Sequence, residues 1–148
     1  MQSINIRRAA PSDTAAIAAL EAEIFPDAWG EAAILSYIDT TFVAEIDGVL
    51  GAYLISNLIA PEGELYRIAV EKAQRERGIG KRLLSFAIEE LTSRGLSSFF
   101  LEVREQNAPA RALYGSLGFI ECGVRRGYYK NPTDNAILMV YGNENSCI

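Results

Sequence analysis

Apolar residues recur at helical spacing in two long stretches of this chain and fall into short β-like runs almost everywhere else. Between 80 and 93, Leu83, Leu84, Ala87, Ile88 and Leu91 form one stripe, which predicts an amphipathic helix that Gly95 stops. Ile17, Leu20 and Ile24 form a second stripe, opened by Pro11-Ser12-Asp13 with Ser12 or Asp13 as N-cap. The segment Phe25-Pro26-Asp27-Ala28-Trp29-Gly30 ends that helix, and a short one is predicted over 31–38. Asn107 is a good N-cap for a helix reaching Leu117, with Gly118 just past its end. β-like runs cover 4–8, 41–46, 49–57, 64–70, 98–103, 119–129 and 136–141. Asp47-Gly48 between two of them is a strong hairpin signal, and Pro61-Glu62-Gly63 reads as a turn. The run at 98–103 is short and mostly apolar, as in a strand covered on both faces. Strands followed by strand–helix–strand–helix–strand give a mixed α/β sandwich.

Composition narrows the function. With 148 residues and an apolar fraction of 49%, the chain fits one domain, expected over 1–142 with a flexible tail at 143–148. No apolar run approaches the ~18 residues that span a bilayer. The start, MQSINIRRAAPSD, has no signal-peptide core, so a cytoplasmic protein is expected, with no membrane partner. A net charge of −5 argues against direct nucleic-acid binding, which needs a basic surface. Cys122 and Cys147 are too few for a disulfide framework or a cysteine-rich metal site; a reduced, mostly buried thiol is expected at Cys122 and a loose tail around Cys147. The chain has no histidine, which excludes Ser-His-Asp and Cys-His mechanisms and any histidine-ligated metal; no metal is expected. A general base must then be a carboxylate, a tyrosine, a lysine or water.

Against that background the turn Arg75-Glu76-Arg77-Gly78-Ile79-Gly80-Lys81 stands out. It follows the run Ile68-Ala69-Val70 and opens the long helix, so free backbone N–H groups and a helix N-terminus converge where a phosphate can bind. It is not a P-loop, because Arg75 stands at the first glycine and Arg82 at the Ser/Thr. Nor is it a dinucleotide fingerprint, because Leu83 stands at the third glycine. A short R-x-x-G-x-G turn with four basic residues around it remains, which suits a polyphosphate; the alternative is a strand-to-helix turn whose glycines only relieve strain.

Downstream, Glu102 interrupts the apolar run Phe99-Phe100-Leu101-Glu102-Val103. By alternation it shares a face with Phe100, and a carboxylate among apolar neighbours tends to a raised pKa, which suits a general base. A strand-end glutamate paired with Arg104 is the bland alternative. Tyr114 lies on the last helix, where tyrosines usually only pack. Transfer of an acyl group from a thioester to an amine needs a donor pocket, a base, an oxyanion donor and an acid for the departing thiolate. Glu102 fits the base, Tyr114 the acid and the glycine turn the pocket; a free backbone N–H near Val70 fits the oxyanion donor.

The pattern IAV, GIG and then LEVR…N…ALY.SLGF resembles the GCN5-related N-acetyltransferases, and more narrowly the RimI type, which acetylates the N-terminal alanine of a small-subunit ribosomal protein. The likeness runs over nearly the whole chain and includes F-P-x-x-W at Phe25 to Trp29 and R-R-x-Y-Y at Arg125 to Tyr129. It implies a twisted mixed sheet of about six to seven strands flanked by about four helices, splayed after the strand ending at Val70. It also implies acetyl-CoA as cosubstrate and direct transfer in a ternary complex. Ile68, Ala69 and Val70 would line its acetyl and pantetheine arm, Arg75, Glu76, Arg77, Gly78, Ile79, Gly80 and Lys81 its pyrophosphate, and Asn107 a further part of it. Glu102 would accept the proton and Tyr114 donate one. The partner would be a ribosomal protein's N-terminus, met by a monomer or weak dimer. Tyr37, Tyr128, Tyr129 and Asp134 are candidates for the peptide groove, with ordinary packing and turn formation as their alternative. The commoner family form sets proline next to tryptophan, whereas this chain reads FPDAW, and its 129–134 loop differs in spacing. Rival functions are acetylation of lysine or a small amine, and a non-catalytic CoA-binding module.

Overall fold

The computed structural model describes residues 2–142; the tail at 143–148, and Cys147 with it, lies outside them. Eleven regular elements follow in chain order: β1 (Ile4–Arg8), α1 (Thr14–Ile24), α2 (Glu31–Ser36), β2 (Thr41–Ile46), β3 (Val49–Ile59), β4 (Glu62–Val70), α3 (Ile79–Ser93), β5 (Ser98–Arg104), α4 (Ala108–Ser116), β6 (Ile120–Tyr129) and β7 (Asp134–Gly142). The seven strands hydrogen-bond in the order β1-β2-β3-β4-β5-β7-β6. This is the mixed sheet with four helices that the residue pattern and the resemblance implied.

The chain divides into two compact units. One holds the chain to Asn57 with Tyr66–Leu91; the other holds Leu58–Leu65 and the chain from Thr92 on. In the first unit β1, β2 and β3 pair antiparallel. The β2–β3 hairpin turns on Asp47 and Gly48, both at positive φ (52° and 82°), as a two-residue turn matching strand twist requires. Its core gathers Ile17, Leu20, Ile34, Val43, Tyr53, Ile55 and Ala69. The α3 stripe is buried as its spacing demands, and Phe86 on that helix meets the Phe42 ring edge-on at 5.9 Å.

The α1 N-terminus departs from expectation. A 3-10 turn at Pro11–Asp13 precedes the helix, and Asp13 makes no side-chain cap. Its carboxylate instead takes the Ala10 N–H and two N–H groups of Arg7, because a charged partner holds it more strongly than a backbone amide alone.

Within the same unit lies a buried ionic cluster that the stripe analysis passed over. Glu21 sits on α1 beside Ile17 and Leu20 and is completely buried. Its carboxylate accepts the Tyr53 hydroxyl at 2.5 Å, Arg67 Nε at 3.0 Å and the Trp29 backbone N–H at 3.0 Å. The Arg67 guanidinium lies 4.0 Å over the Phe25 ring, and its Nη2 donates to both the backbone and the carboxylate of Asp27.

In the second unit the parallel β4–β5 ladder pairs Glu62–Glu64 with Ser98–Phe100, while β7 pairs antiparallel with β5 along its length. β4 thus begins two residues before the expected 64, because Ala60 and Pro61 make the turn and free Glu62 and Gly63 for pairing. Phe119 anchors this core, its ring 5.6–6.1 Å from those of Phe99, Tyr114 and Tyr141. Among the described residues no helix is long and apolar enough to cross a membrane, and no three His, Cys, Asp or Glu side chains gather at one point.

Candidate active site

In the first unit, β4 delivers Ile68, Ala69 and Val70 to its end, Ala69 buried and the flanking two half-buried. A 3-10 turn at Lys72–Gln74 leads into the glycine turn. Glu76 and Gly78 both take positive φ (65° and 73°), and the first helical hydrogen bond of α3 runs from Arg82 N to Gly78 O. The N–H groups of Ile79, Gly80 and Lys81 therefore precede the helical ladder and lack intrahelical acceptors. Successive backbone N–H groups in a turn just before a helix can make a concave nest for an anion. Arg77 and Lys81 are exposed beside it. Arg75 Nε donates to Val70 O at 3.0 Å, which holds the loop against the end of β4.

The second unit places the other candidates. β5 carries Glu102 on the half-buried face with Phe100 and Arg104, while Leu101 and Val103 are buried, as alternation required. Its surroundings are less apolar than expected. Arg125 Nε stands 3.4 Å from Glu102 Oε1, and the Glu102 side chain keeps 29% of its exposure. Register explains how a β6 residue reaches a β5 residue with β7 between them. Glu102 and Gly123 both pair with Leu138, and a side chain at 123 would meet Leu138 Cδ1 at 2.9 Å, so glycine keeps that row low. Arg104, the partner weighed for Glu102, is engaged elsewhere: it donates to the carbonyls of Pro132 and Lys130 and lies 4.4 Å over the Tyr129 ring.

Asn107 does cap α4, accepting the Ala110 N–H at 3.2 Å. That helix buries Tyr114, whose ring packs 5.7 Å from Phe119. Burial, with the nearby Tyr129 phenol second, pushes the Tyr114 hydroxyl up to about 12. The Tyr129 phenol is likewise raised, by burial first and then by the Glu102 carboxylate. Tyr128 is exposed and meets Tyr129 edge-on at 5.1 Å, under the Arg125 guanidinium at 5.6 Å.

The remaining groove candidates divide. Tyr37, in the first unit, joins Trp29 and Tyr66 in an aromatic trio with centroids 5.2–5.8 Å apart. Asp134 is buried, and its carboxylate accepts the backbone N–H of Gln106 and of Asn135, so it serves the turns around it. What the sequence did not single out is Arg125 as the neighbour of Glu102. The R-R-x-Y-Y string was its signal, and the register around Gly123 was needed to aim it.

Residues 14–119 match the acetyltransferase (GNAT) family. The chain belongs to that family. It is 41% identical over 95 residues to the [ribosomal protein bS18]-alanine N-acetyltransferase of Escherichia coli K12, a stretch covering 63% of this chain and 64% of that relative. The crystal structure of the ribosomal-protein-S18-alanine N-acetyltransferase from Escherichia coli superposes with TM-score 0.85 at 32% identity, covering 97% of this chain and 98% of that one. The fold is also that of yncA from Salmonella typhimurium, solved with acetyl-CoA (TM-score 0.83, 20% identity, 95% and 94% covered).

Two of these GNAT side chains predict a pH dependence of stability. The Tyr53 phenol is raised by burial and by the Glu21 carboxylate, and Tyr114 is raised to about 12. Folded values above the unfolded ~10 mean that the unfolded chain ionises first, so stability holds to about pH 10 and falls above it. The loss is at most about 1.4 kcal/mol per pH unit per tyrosine. Urea midpoints at pH 9 and 11 should differ accordingly, and Tyr114→Phe should flatten the fall; a midpoint unchanged across that range would rule the linkage out.

Proposed function

We propose that this chain moves the acetyl group of acetyl-CoA to the N-terminal α-amine of a small-subunit ribosomal protein, with alanine as the favoured first residue. What carries the reading is the likeness to the Escherichia coli enzyme of that name over almost the full length of both chains. The chemistry of Glu102, Tyr114 and the glycine turn fits it. The α-amine also titrates at ~7.7–8.0 and lysine near ~10.4, so the terminal amine is the easier one to deprotonate near neutral pH.

In this proposal the N–H nest of Glu76–Lys81 and the side chains of Arg77 and Lys81 hold the pyrophosphate, the backbone of Ile68–Val70 holds the acetyl-bearing arm, and Asn107 touches the cofactor. Glu102 takes one proton from the acceptor ammonium, and the freed nitrogen attacks the thioester carbonyl carbon. The C–S bond then breaks, nitrogen gives up its second proton, and the departing sulphur ends as a thiol. Tyr114 donates a hydrogen bond to that sulphur. Outright transfer from a phenol held at about 12 to a thiolate whose reference value is ~8.5 would cost about 5 kcal/mol. Protonation of the sulphur is therefore completed by the proton that nitrogen releases, with the phenol holding the charge while it forms.

Gly78→Ala tests the pocket. A Cβ there meets nothing within 4 Å, so the substitution acts through its positive φ alone, at roughly 1–2 kcal/mol. Calorimetry should find acetyl-CoA bound some 5- to 30-fold more weakly; equal affinity would remove the turn from the cofactor site. The acceptor is tested in cells of the source organism with and without this protein. Mass spectrometry should show one small-subunit ribosomal protein losing its N-terminal acetyl group, and an unaltered set of ribosomal N-termini would refute that assignment.

A further inference from the structure

We infer that Arg125 is a positioning residue for Glu102: its guanidinium holds one oxygen of that carboxylate and leaves the other open to take a proton. The inference rests on the reading above, in which Glu102 is the base. A glutamate carries its carboxylate at the end of three rotatable bonds. Here the side chain keeps 29% of its exposure, so packing alone does not fix it. Among the described hydrogen bonds and salt bridges Glu102 has one partner, Arg125, whose Nε stands 3.4 Å from Oε1; Oε2 has none. Arg125 is itself 56% exposed. An ion pair this open to solvent adds little to stability. Its main physical effect is then on the direction in which the carboxylate points.

The sheet of the second unit is arranged to deliver that guanidinium. β7 separates β5 from β6, so their backbones lie roughly 10 Å apart and only a long side chain crosses. Register supplies the path. Glu102, Leu138 and Gly123 form one row across the three strands, and Arg104, Ala136 and Arg125 form another. Gly123 beside Arg125 on β6 and Ala136 opposite it on β7 are both small, which leaves the diagonal toward Glu102 open. The other arginine of the row does not compete, because Arg104 donates to the carbonyls of Lys130 and Pro132 and lies over the Tyr129 ring. The Tyr128 ring, 5.6 Å from the Arg125 guanidinium, gives it a second contact. A cation held between a ring and a carboxylate loses freedom, and the carboxylate loses it too. Misplacing a catalytic group by about 1 Å can cost about 10²-fold in rate, so this restraint reaches turnover.

A residue that acts through Glu102 has a signature that a merely structural one lacks. Steady-state kinetics would use acetyl-CoA and a peptide with a free N-terminal alanine. Arg125→Ala should lower kcat about tenfold and Arg125→Lys, which keeps the charge, about threefold, with the acetyl-CoA KM within about twofold of wild type in both. Placed on top of Glu102→Gln, Arg125→Ala should change kcat by less than about twofold, because the group it positions can no longer take the proton. Ethylguanidinium at a non-denaturing concentration should restore kcat of Arg125→Ala at least about twofold, and urea at the same concentration should not. Should Arg125→Ala not fold, Arg125→Lys with and without Glu102→Gln decides the matter. Wild-type kcat in Arg125→Ala, or an undiminished loss in the Glu102→Gln background, would overturn the inference while leaving Glu102 as the base. Wild-type turnover in Glu102→Gln alone would instead remove the base, and the inference with it.

Discussion

Replacing Glu102 by Gln should lower kcat by about 10²-fold or more while acetyl-CoA affinity stays within about twofold. The amide is isosteric but cannot accept a proton, so only the step that deprotonates the amine suffers. The split is informative because Glu102 lies on β5, paired along its length with β7, and its substitution leaves the buried side chains Leu101 and Val103 in place. Tyr114→Phe should slow turnover less, since it removes a hydrogen bond to the departing sulphur and not the proton acceptor. If Glu102→Gln turned over at the wild-type rate, water or another group would be the base, and the ion pair with Arg125 would be merely structural.

The largest stability effect is expected at Arg67. Changing it to Met removes the only cation facing Glu21 among the described hydrogen bonds and salt bridges, leaving a fully buried carboxylate with two neutral donors. Breaking a buried pair on one side costs about 3–5 kcal/mol. For a chain of this size that lowers the melting temperature by about 10 °C. Removing the charge as well, in the double variant Glu21→Leu with Arg67→Met, should recover much of the loss, because apolar replacement of a whole buried pair is close to neutral. Calorimetric melting of the single and double variants checks this. A double variant no more stable than Arg67→Met would mean that the ion pair is not what holds these elements together.

Local signals proved readable where the physics is local. The α3 stripe, the Asp47-Gly48 hairpin and the Asn107 cap each rest on contacts within a few residues, and each stands where the pattern put it. Alternation along β5 put Glu102 on its correct face for the same reason. Glu21 was not readable. An acidic residue beside Ile17 and Leu20 on a helix is normally solvated, and its partners Tyr53 and Arg67 lie 32 and 46 residues away. The start of β4 shifted because Glu62–Glu64 takes its conformation from pairing with Ser98–Phe100, a partner some 36 positions on that no local rule reveals. Arg125 was visible as part of a motif but not as the neighbour of Glu102, since its aim depends on irregular pairing in β6. Capping by Asp13 failed because Arg7, on the preceding strand, competes for the same carboxylate.

Membership of the GNAT family brings the fold and an expectation about chemistry, while the choice of amine has to be read from the site itself.

The central claim is that acetyl passes directly from acetyl-CoA to a terminal α-amine. Purified protein should be incubated with acetyl-CoA and two peptides of one sequence, beginning with alanine and carrying an internal lysine, one with a free and one with a blocked N-terminus. Tandem mass spectrometry should then locate a single acetyl group on the α-amine of the free peptide and none on the blocked one. Acetyl on the lysine of both peptides, or on neither peptide, would contradict the account.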